Sequence, residues 1–339
     1  MTMSTGDGGT VETAGAVIIT GGMGFIGSFV ADAFLALGKR VVIIDSLVSS
    51  VIATEPYEAD PNCTVLKMSV AEYFEGGGTV AGAERVIHAA SLVGPAGILR
   101  FAGQLGHDIV RSCQLVIDQC IEHDVPVCDF SSAEVYGRSG QLAEGDTIHV
   151  PVDYSVRIEY AIAKTLTEAM VANSRHRGLR GIVIRPFNVT GPRQSELGGF
   201  VMPTFVQQAL TGDDLTVFAT GEQLRAFLSV TDLTRFIVDH MDDAIASGSL
   251  IYNIGNPGNV ITVRSLADRV KAMTESASAV VYADAKAIHG DLYEEAESFE
   301  KTPVLAAAPG VGWEPRVGLD ELIQETIDYY RPLVADRAA

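Results

Sequence analysis

Thr20-Gly21-Gly22-Met23-Gly24-Phe25-Ile26-Gly27 is the stretch on which the reading of the fold turns. Before it, Ala16–Thr20 is a short apolar run of strand type. After it, Phe25, Ile26, Phe29, Val30, Ala33, Phe34 and Leu37 recur on one broad helical face, predicting a helix from Gly24 to Leu37. Gly38 ends that helix, and Arg40–Asp45 reads as a second buried strand. Strand, glycine turn, helix and strand make one βαβ unit of a parallel sheet. Gly21, Gly24 and Gly27 suit a tight turn, close backbone approach to a pyrophosphate and close helix–sheet packing. The helix start, with Phe25 and Ile26, offers free N–H groups and the positive end of its dipole to phosphates. Asp45 closes the second strand about 20 residues further on, where an acid binds the ribose hydroxyls of a dinucleotide. No Arg or Lys lies within Ser46–Glu55 to receive a 2′-phosphate, so the expected cofactor is NAD rather than NADP.

Working outward, the alternation continues. Val65–Met68, Arg85–Ala89, Val127–Ser131 and Gly181–Phe187 read as strands, with helices at Asp108–His123 and Ile158–Ser174. Strands alternating with helices predict an α/β fold with a doubly wound parallel sheet. After Asn188 the loops grow rich in Gly and Pro and the elements shorten. Helices are expected at Phe200–Leu210, Thr231–Ala246, Thr262–Met273 and Leu319–Tyr330, and strands at Leu215–Phe218, Ala226–Val230 and Ile251–Ile254. This divides the chain into a disordered tail, 1–14, a dinucleotide-binding domain, 15–187 plus 227–256, and a smaller substrate lobe, 188–226 plus 257–334.

The 339 residues, 47% of them hydrophobic, are enough for a sizeable core and exclude general disorder. No apolar run reaches the roughly 18 residues of a membrane span, and the N-terminus lacks the pattern of a signal peptide. A cytoplasmic protein is expected. Cys63, Cys113, Cys120 and Cys128 show neither a C-x-x-C pair nor a metal-ligand spacing with His. They read as reduced, buried thiols, with no metal site. A net charge of −19 argues against a broad nucleic-acid surface. An anionic small molecule could still bind where a few cations are concentrated.

Ser131-Ser132-Ala133-Glu134-Val135-Tyr136-Gly137 follows a strand, and Tyr160-Ala161-Ile162-Ala163-Lys164 lies on a helix, with Tyr160 and Lys164 on one face. An ammonium beside a phenol favours phenolate, which lets a tyrosine exchange a proton with a sugar hydroxyl while hydride moves to nicotinamide. Alone, Y-x-x-x-K is a common accidental pair. Behind a dinucleotide fingerprint and a serine-bearing strand end it carries weight.

At this point the sequence resembles the extended short-chain dehydrogenase/reductase family of nucleotide-sugar epimerases, dehydratases and decarboxylases, from about Ala16 to Tyr330. The markers are TGGMGFIG at 20–27, HAAS at 88–91, SSAEVYG at 131–137, YAIAK at 160–164 and RPFNVTGPRQ at 185–194. GEQLRAFLSVTDL at 221–233, YNIGNP at 252–257 and GWEP at 312–315 complete them. The resemblance implies a Rossmann-type domain and a homodimer formed through the helices at Asp108–His123 and Ile158–Ser174. It implies that Ser132 and Tyr160 contact the substrate hydroxyl and that Lys164 holds the nicotinamide ribose. Ala89 and Ala90 are expected at the cofactor, and Asn188 begins the substrate lobe. Arg225 resembles the family's diphosphate-binding arginine, and a guanidinium suits phosphate oxygens. Arg193 reads either as a substrate-cleft residue or as part of a solvated loop. His88 reads as a packed strand-end residue.

Two departures stand out. Relatives usually carry another arginine shortly before G-W-x-P, whereas Tyr293–Val304 holds Glu294, Glu295, Glu297 and Glu300, with Lys301 as its only base. The third strand ends on Met68-Ser69-Val70, where relatives commonly place an adenine-contacting Asp, leaving Ser69 as a partial substitute. Gly94–Gly106 is also unusual for the family. The expected activity is sugar remodelling through a transient 4-keto intermediate, with C4 epimerisation slightly favoured. A nucleotide-hexuronate decarboxylase or 4,6-dehydratase using Glu134 is the alternative, and Glu134 reads equally as a structural carboxylate. An NAD-sensing regulator on the same fold would be expected to lose Tyr160 or Lys164, and both are present.

Overall fold

The computed structural model describes residues 11–50, 52–94, 98–150, 155–195, 199–290 and 299–338. Seven strands form one parallel sheet: β1 (Ala16–Thr20), β2 (Arg40–Asp45), β3 (Cys63–Lys67), β4 (Arg85–His88), β5 (Val127–Phe130), β6 (Gly181–Pro186) and β7 (Ile251–Ile254). Their spatial order is β7-β6-β5-β4-β1-β2-β3. The order reverses between β1 and β4, so a crevice opens at the carboxyl ends of those strands, where ligands of such sheets bind. The doubly wound fold is as expected. The strands are continuous Val/Ile/Leu runs because helices cover both faces.

One face packs α1 (Phe25–Ala36) and α4 (Val230–Ala246) around Val17, Ile19, Phe34, Ile43 and Trp313. The other packs α2 (Leu105–Glu122) and α3 (Val156–Ser174) over Ile18, Val86, Val116, Val127 and Val183. The start of α3 is set by Ser155, whose hydroxyl accepts the Ile158 N–H. Trp313 is fully buried, donates its indole N–H to the Asp232 carbonyl, and lies edge-on to Phe236. The Asp232 carboxylate accepts the N–H groups of Arg316 and Val317. That network ties the G-W-E-P segment to α4. A third core, with Met202, Phe205, Leu215, Leu266 and Ile323, belongs to the C-terminal elements.

The smaller part holds a four-stranded sheet in the order Val260–Thr262, Leu224–Ala226, Glu300–Pro303, Gly140–Leu142. Three of these strands, Gly140–Leu142, Val260–Thr262 and Glu300–Pro303, are absent from the sequence reading. The first is drawn from the segment assigned to the dinucleotide domain. The strand expected over Ala226–Val230 is two pieces, Leu224–Ala226 and Leu228–Ser229, and Val230 already opens α4. Leu228–Ser229 pairs with Val189–Thr190 instead. Of the expected tail, residues 1–10 and the side of Gly94–Gly106 spanning 95–97 lie outside the described residues. Residues 11–14 are anchored: the Thr13 hydroxyl donates to Ala81 and Val11 packs on the core.

Candidate functional site

The glycine turn forms a cradle that only glycine can line. A Cβ on Gly27 would stand 2.1 Å from the Gly21 carbonyl oxygen, and one on Gly21, at φ +71°, would stand 2.8 Å from the Ala90 backbone. The close packing of turn, helix and β4 end leaves backbone N–H groups facing the crevice. Gly24, the N-cap of α1, supplies no side-chain oxygen to those first N–H groups. They remain available to an anion such as a pyrophosphate. Phe25 and Ile26 open the helix. Ala89 and Ala90 follow β4, their N–H groups taken by the Thr20 carbonyl and hydroxyl.

Asp45 ends β2 and accepts the N–H of Met23 at 2.9 Å and of Leu47 at 2.8 Å. Both carboxylate oxygens are thereby oriented at the turn, each with capacity for a ribose hydroxyl. The residues present thus fit a dinucleotide. Ser69 is engaged differently from the adenine contact considered for it. It N-caps the helix Val70–Glu75 in a reciprocal capping box with Glu72.

Across the crevice, Ser132 caps the short turn Ala133–Tyr136 by accepting the Glu134 N–H. Its hydroxyl lies near enough to the Tyr160 phenol, almost fully buried on α3, to draw that group's pKa down. Ser132 and Tyr160 are therefore brought together. Lys164, one turn along, donates to the Phe130 carbonyl at 2.6 Å, and its nitrogen lies 5.9 Å from the Tyr160 ring centre. The expected lowering of the phenol pKa is reversed here. Burial pushes Tyr160 upward, Ser132 is the influence drawing it back, and the Glu134 and Asp129 carboxylates push it further up. The ammonium is turned instead to the Phe130 carbonyl.

Glu134 is the centre of a charged group that the sequence reading did not assemble. Lys301 donates to it at 2.5 Å, and an Arg157 nitrogen lies 4.0 Å away. Burial raises the Glu134 carboxyl, but Lys301, Arg157 and Arg225 together hold it down, to about 2. Lys301 itself is pushed down by burial, with Glu134 as the opposing influence. Arg225 and Lys301 are register partners on adjacent strands of the four-stranded sheet. Among the described residues, the outcome is three cations about one ionised carboxylate in a strongly acidic chain. Arg157 stands three residues before Tyr160 on the same helix, and Lys301 is the lone base of an acidic run. Those were the available signals.

Asn188, at φ +39°, donates to the Ala226 carbonyl and its own carbonyl accepts the Leu228 N–H, stitching Val189–Thr190 to Leu228–Ser229. Arg193 belongs neither to a solvated loop nor to the cationic group. It turns onto α1, pairing with Asp32 at 2.7 Å and lying 4.7 Å over the Phe29 ring. His88 is buried with Nδ1 2.8 Å from the Thr20 hydroxyl, and burial pushes its pKa down to about 3, so it is neutral. All four cysteines are free and buried, their thiols pushed up chiefly by burial.

A family model described as the NAD dependent epimerase/dehydratase family matches residues 17–255. The chain is similar to a UDP-N-acetyl-alpha-D-glucosaminuronate decarboxylase of Bacillus cytotoxicus, 27% identical over 94% of this chain and 98% of that protein. It is 27% identical to UDP-glucuronic acid decarboxylase 1 of Xenopus tropicalis, over 93% of this chain and 72% of that protein. Among solved structures it resembles the UDP-glucose 4-epimerase of Thermotoga maritima, crystallised with UDP-glucose. The TM-score is 0.78 at 25% identity, covering 94% of this chain and 99% of that one.

Proposed function

Since the chain belongs to the NAD-dependent epimerase/dehydratase family, we propose that it is the decarboxylating kind, acting on a nucleotide-activated hexuronic acid. The observation that carries this reading is the gathering of three cations, Lys301, Arg157 and Arg225, about the single carboxylate Glu134 among the described residues. A partly desolvated site with excess positive charge favours an anionic ligand. Glu134 leaves the same strand end as Ser132, which supports assigning the group to the sugar end of the cleft. Arg225 is assigned to the diphosphate, and Lys301 with Arg157 to a sugar carboxylate.

Bound NAD supplies the hydride acceptor at the sugar C4 and later returns that hydride. Tyr160 takes the proton of the C4 hydroxyl as phenolate, a form that burial disfavours in the free protein and that the positive nicotinamide of bound NAD would favour; Ser132 orients that hydroxyl, and Lys164 holds the nicotinamide ribose. Once C4 is a ketone, a carboxylate on C5 is a β-keto acid. Its C5–C6 bond breaks, CO2 leaves, and the electron pair stays on the C4–C5 enolate. A proton must then return to C5, and Lys301, an ammonium acidified by burial, is the donor assigned here. Glu134 is a poor base because its three cations stabilise the carboxylate, so the 4,6-dehydration route loses support. C4 epimerisation, the simpler reading from sequence, needs only Ser132 and Tyr160 and leaves Lys301 and Arg157 without work.

The chain is read as two lobes, 15–187 plus 227–256 holding NAD and 188–226 plus 257–334 holding the sugar nucleotide. A homodimer through α2 and α3 is proposed on the exposed apolar side chains Ile162 and Leu166 of α3. Among the described residues no helix is long and apolar enough to cross a membrane.

The test is incubation with NAD and UDP-glucose, UDP-glucuronate or UDP-N-acetylglucosaminuronate, read by mass spectrometry and NMR. Hexuronates should lose CO2 to give a pentose-type product. Hexuronates returned at unchanged mass, with UDP-glucose epimerised at C4, would overturn the reading.

A further inference from the structure

Beneath the proton-transfer residues lies a carboxylate for which neither the sequence motifs nor the proposed chemistry has a use. Asp129 stands in β5 within Val127-Cys128-Asp129-Phe130, a position whose strand neighbours are all apolar. It is only 2% exposed, and its Oδ2 is buried without a hydrogen-bond partner. An uncompensated carboxylate in such a place is costly, and a nearby cation is the usual compensation. Lys164, 4% exposed, points its ammonium at the carbonyl of Phe130, the next residue along β5.

We propose that Asp129 is the buried counter-charge of Lys164, a positioning residue that keeps the ammonium charged and held behind Tyr160. This rests on Tyr160 and Lys164 being the working pair of the proposed reaction. The two groups answer each other. Burial pushes the Asp129 carboxyl up and Lys164 is the largest influence drawing it back; burial pushes the Lys164 ammonium down and Asp129 is the largest influence restoring it.

The other titratable groups facing this pair are accounted for. Cys113 on α2 is a thiol raised by burial and stays uncharged. His88 on β4, the register partner of Asp129, is neutral at ordinary pH. Glu168, on the same helix as Lys164, is already committed to Arg185 through two hydrogen bonds and to the Ser131 hydroxyl. On the far side, Glu134 acts on Tyr160 and is balanced by Lys301, Arg157 and Arg225. Asp129 is therefore the charge left to offset Lys164. The Thr167 hydroxyl donates to the Lys164 carbonyl and is neutral.

The experiment needs no substrate. The full-length protein, labelled with ¹³C at lysine Cε, is titrated by NMR, with the Lys164 signal identified by its loss in Lys164→Met. In Asp129→Asn the Lys164 midpoint should fall by about one to three pH units, the range for losing an opposite charge a few ångströms away. Asp129→Leu, which suits a buried strand and removes the charge without leaving a polar group, should give the same shift. With UDP-glucuronate and NAD, the alkaline limb of kcat should move down by a similar amount. An unchanged Lys164 midpoint in both variants overturns the inference. Failure of the functional reading is separate and would show as near-normal turnover in Tyr160→Phe.

Discussion

The two ends of the crevice are built in opposite ways. At the cofactor end, one contiguous stretch, Thr20–Gly27, makes a cradle from backbone alone, and the side chain that completes it, Asp45, ends the very next strand. At the proposed substrate end, no two of Glu134, Arg157, Arg225 and Lys301 share a local segment, and side chains make the site. A backbone site is bound to the fold and to one ligand chemistry. A side-chain site gathered from four segments can change its ligand by changing one residue, because the scaffold beneath it is unaffected. The difference suggests that this chain shares its cofactor with its relatives and draws its substrate choice from the four-stranded sheet.

The sharpest way to break the comparison is at the junction of the two ends. Tyr160→Phe should lower turnover by roughly two to four orders of magnitude, the range for a positioned acid–base group, with NAD affinity unchanged by titration. A parallel loss of NAD binding would show that the ends are not separable. Next comes Lys301→Met, which removes a cation without touching the cradle. The kcat/KM for UDP-glucuronate should fall by roughly two to four orders of magnitude, because the ammonium is both the carboxylate's partner and the assigned proton donor, while NAD binding stays unchanged. Equal losses on UDP-glucose and UDP-glucuronate would take Lys301 away from carboxylate recognition.

The same contrast explains what could be read from the sequence. β1, the glycine turn, α1 and β2 are a local pattern of apolar runs and helical periodicity, so the doubly wound sheet and the cradle follow from residues side by side in the chain. Tyr160 and Lys164 are legible for the same reason, being one helical turn apart. Glu300–Pro303 has no apolar alternation, and it becomes a strand only because Leu224–Ala226 and Gly140–Leu142 flank it. Tertiary pairing overrides propensity there. Arg193 was misplaced because Asp32, about 160 residues away in sequence, claims it. Asp129 was passed over inside a run that otherwise reads as an ordinary buried strand.

A smaller effect sharpens the cofactor end. The Asp45 carboxylate, oriented by the Met23 and Leu47 N–H groups, should repel the 2′-phosphate of NADP. NAD should bind the unaltered protein more tightly, and Asp45→Ala should narrow that preference by about tenfold. Fluorescence titration with both cofactors measures it, and an NADP preference in the unaltered protein would remove Asp45 from ribose recognition.

The last expected effect separates the two ends by pH. His88, beside the cradle, is held neutral by burial, with Lys164 adding to the effect, and its pKa falls from 6.5 to about 3. As pH drops below 6.5 the unfolded chain takes up a proton that the folded chain refuses. Stability therefore declines with falling pH, by at most about 1.4 kcal/mol per pH unit for one such group, until the native histidine protonates near 3. Glu134, at the substrate end, is lowered from 4.5 to about 2. Its contribution is present in full above 4.5 and disappears as pH falls through that lower window, and it is discounted because the side chain is 31% exposed. Urea denaturation at a series of pH values should thus show a slope between about pH 6.5 and 4.5 that His88→Asn flattens and Glu134→Gln leaves alone. Asn keeps a polar group within reach of the Thr20 hydroxyl while removing the titration. If Glu134→Gln flattens that upper range instead, the acid sensitivity resides in the cationic group, and the cofactor end is the less pH-dependent of the two.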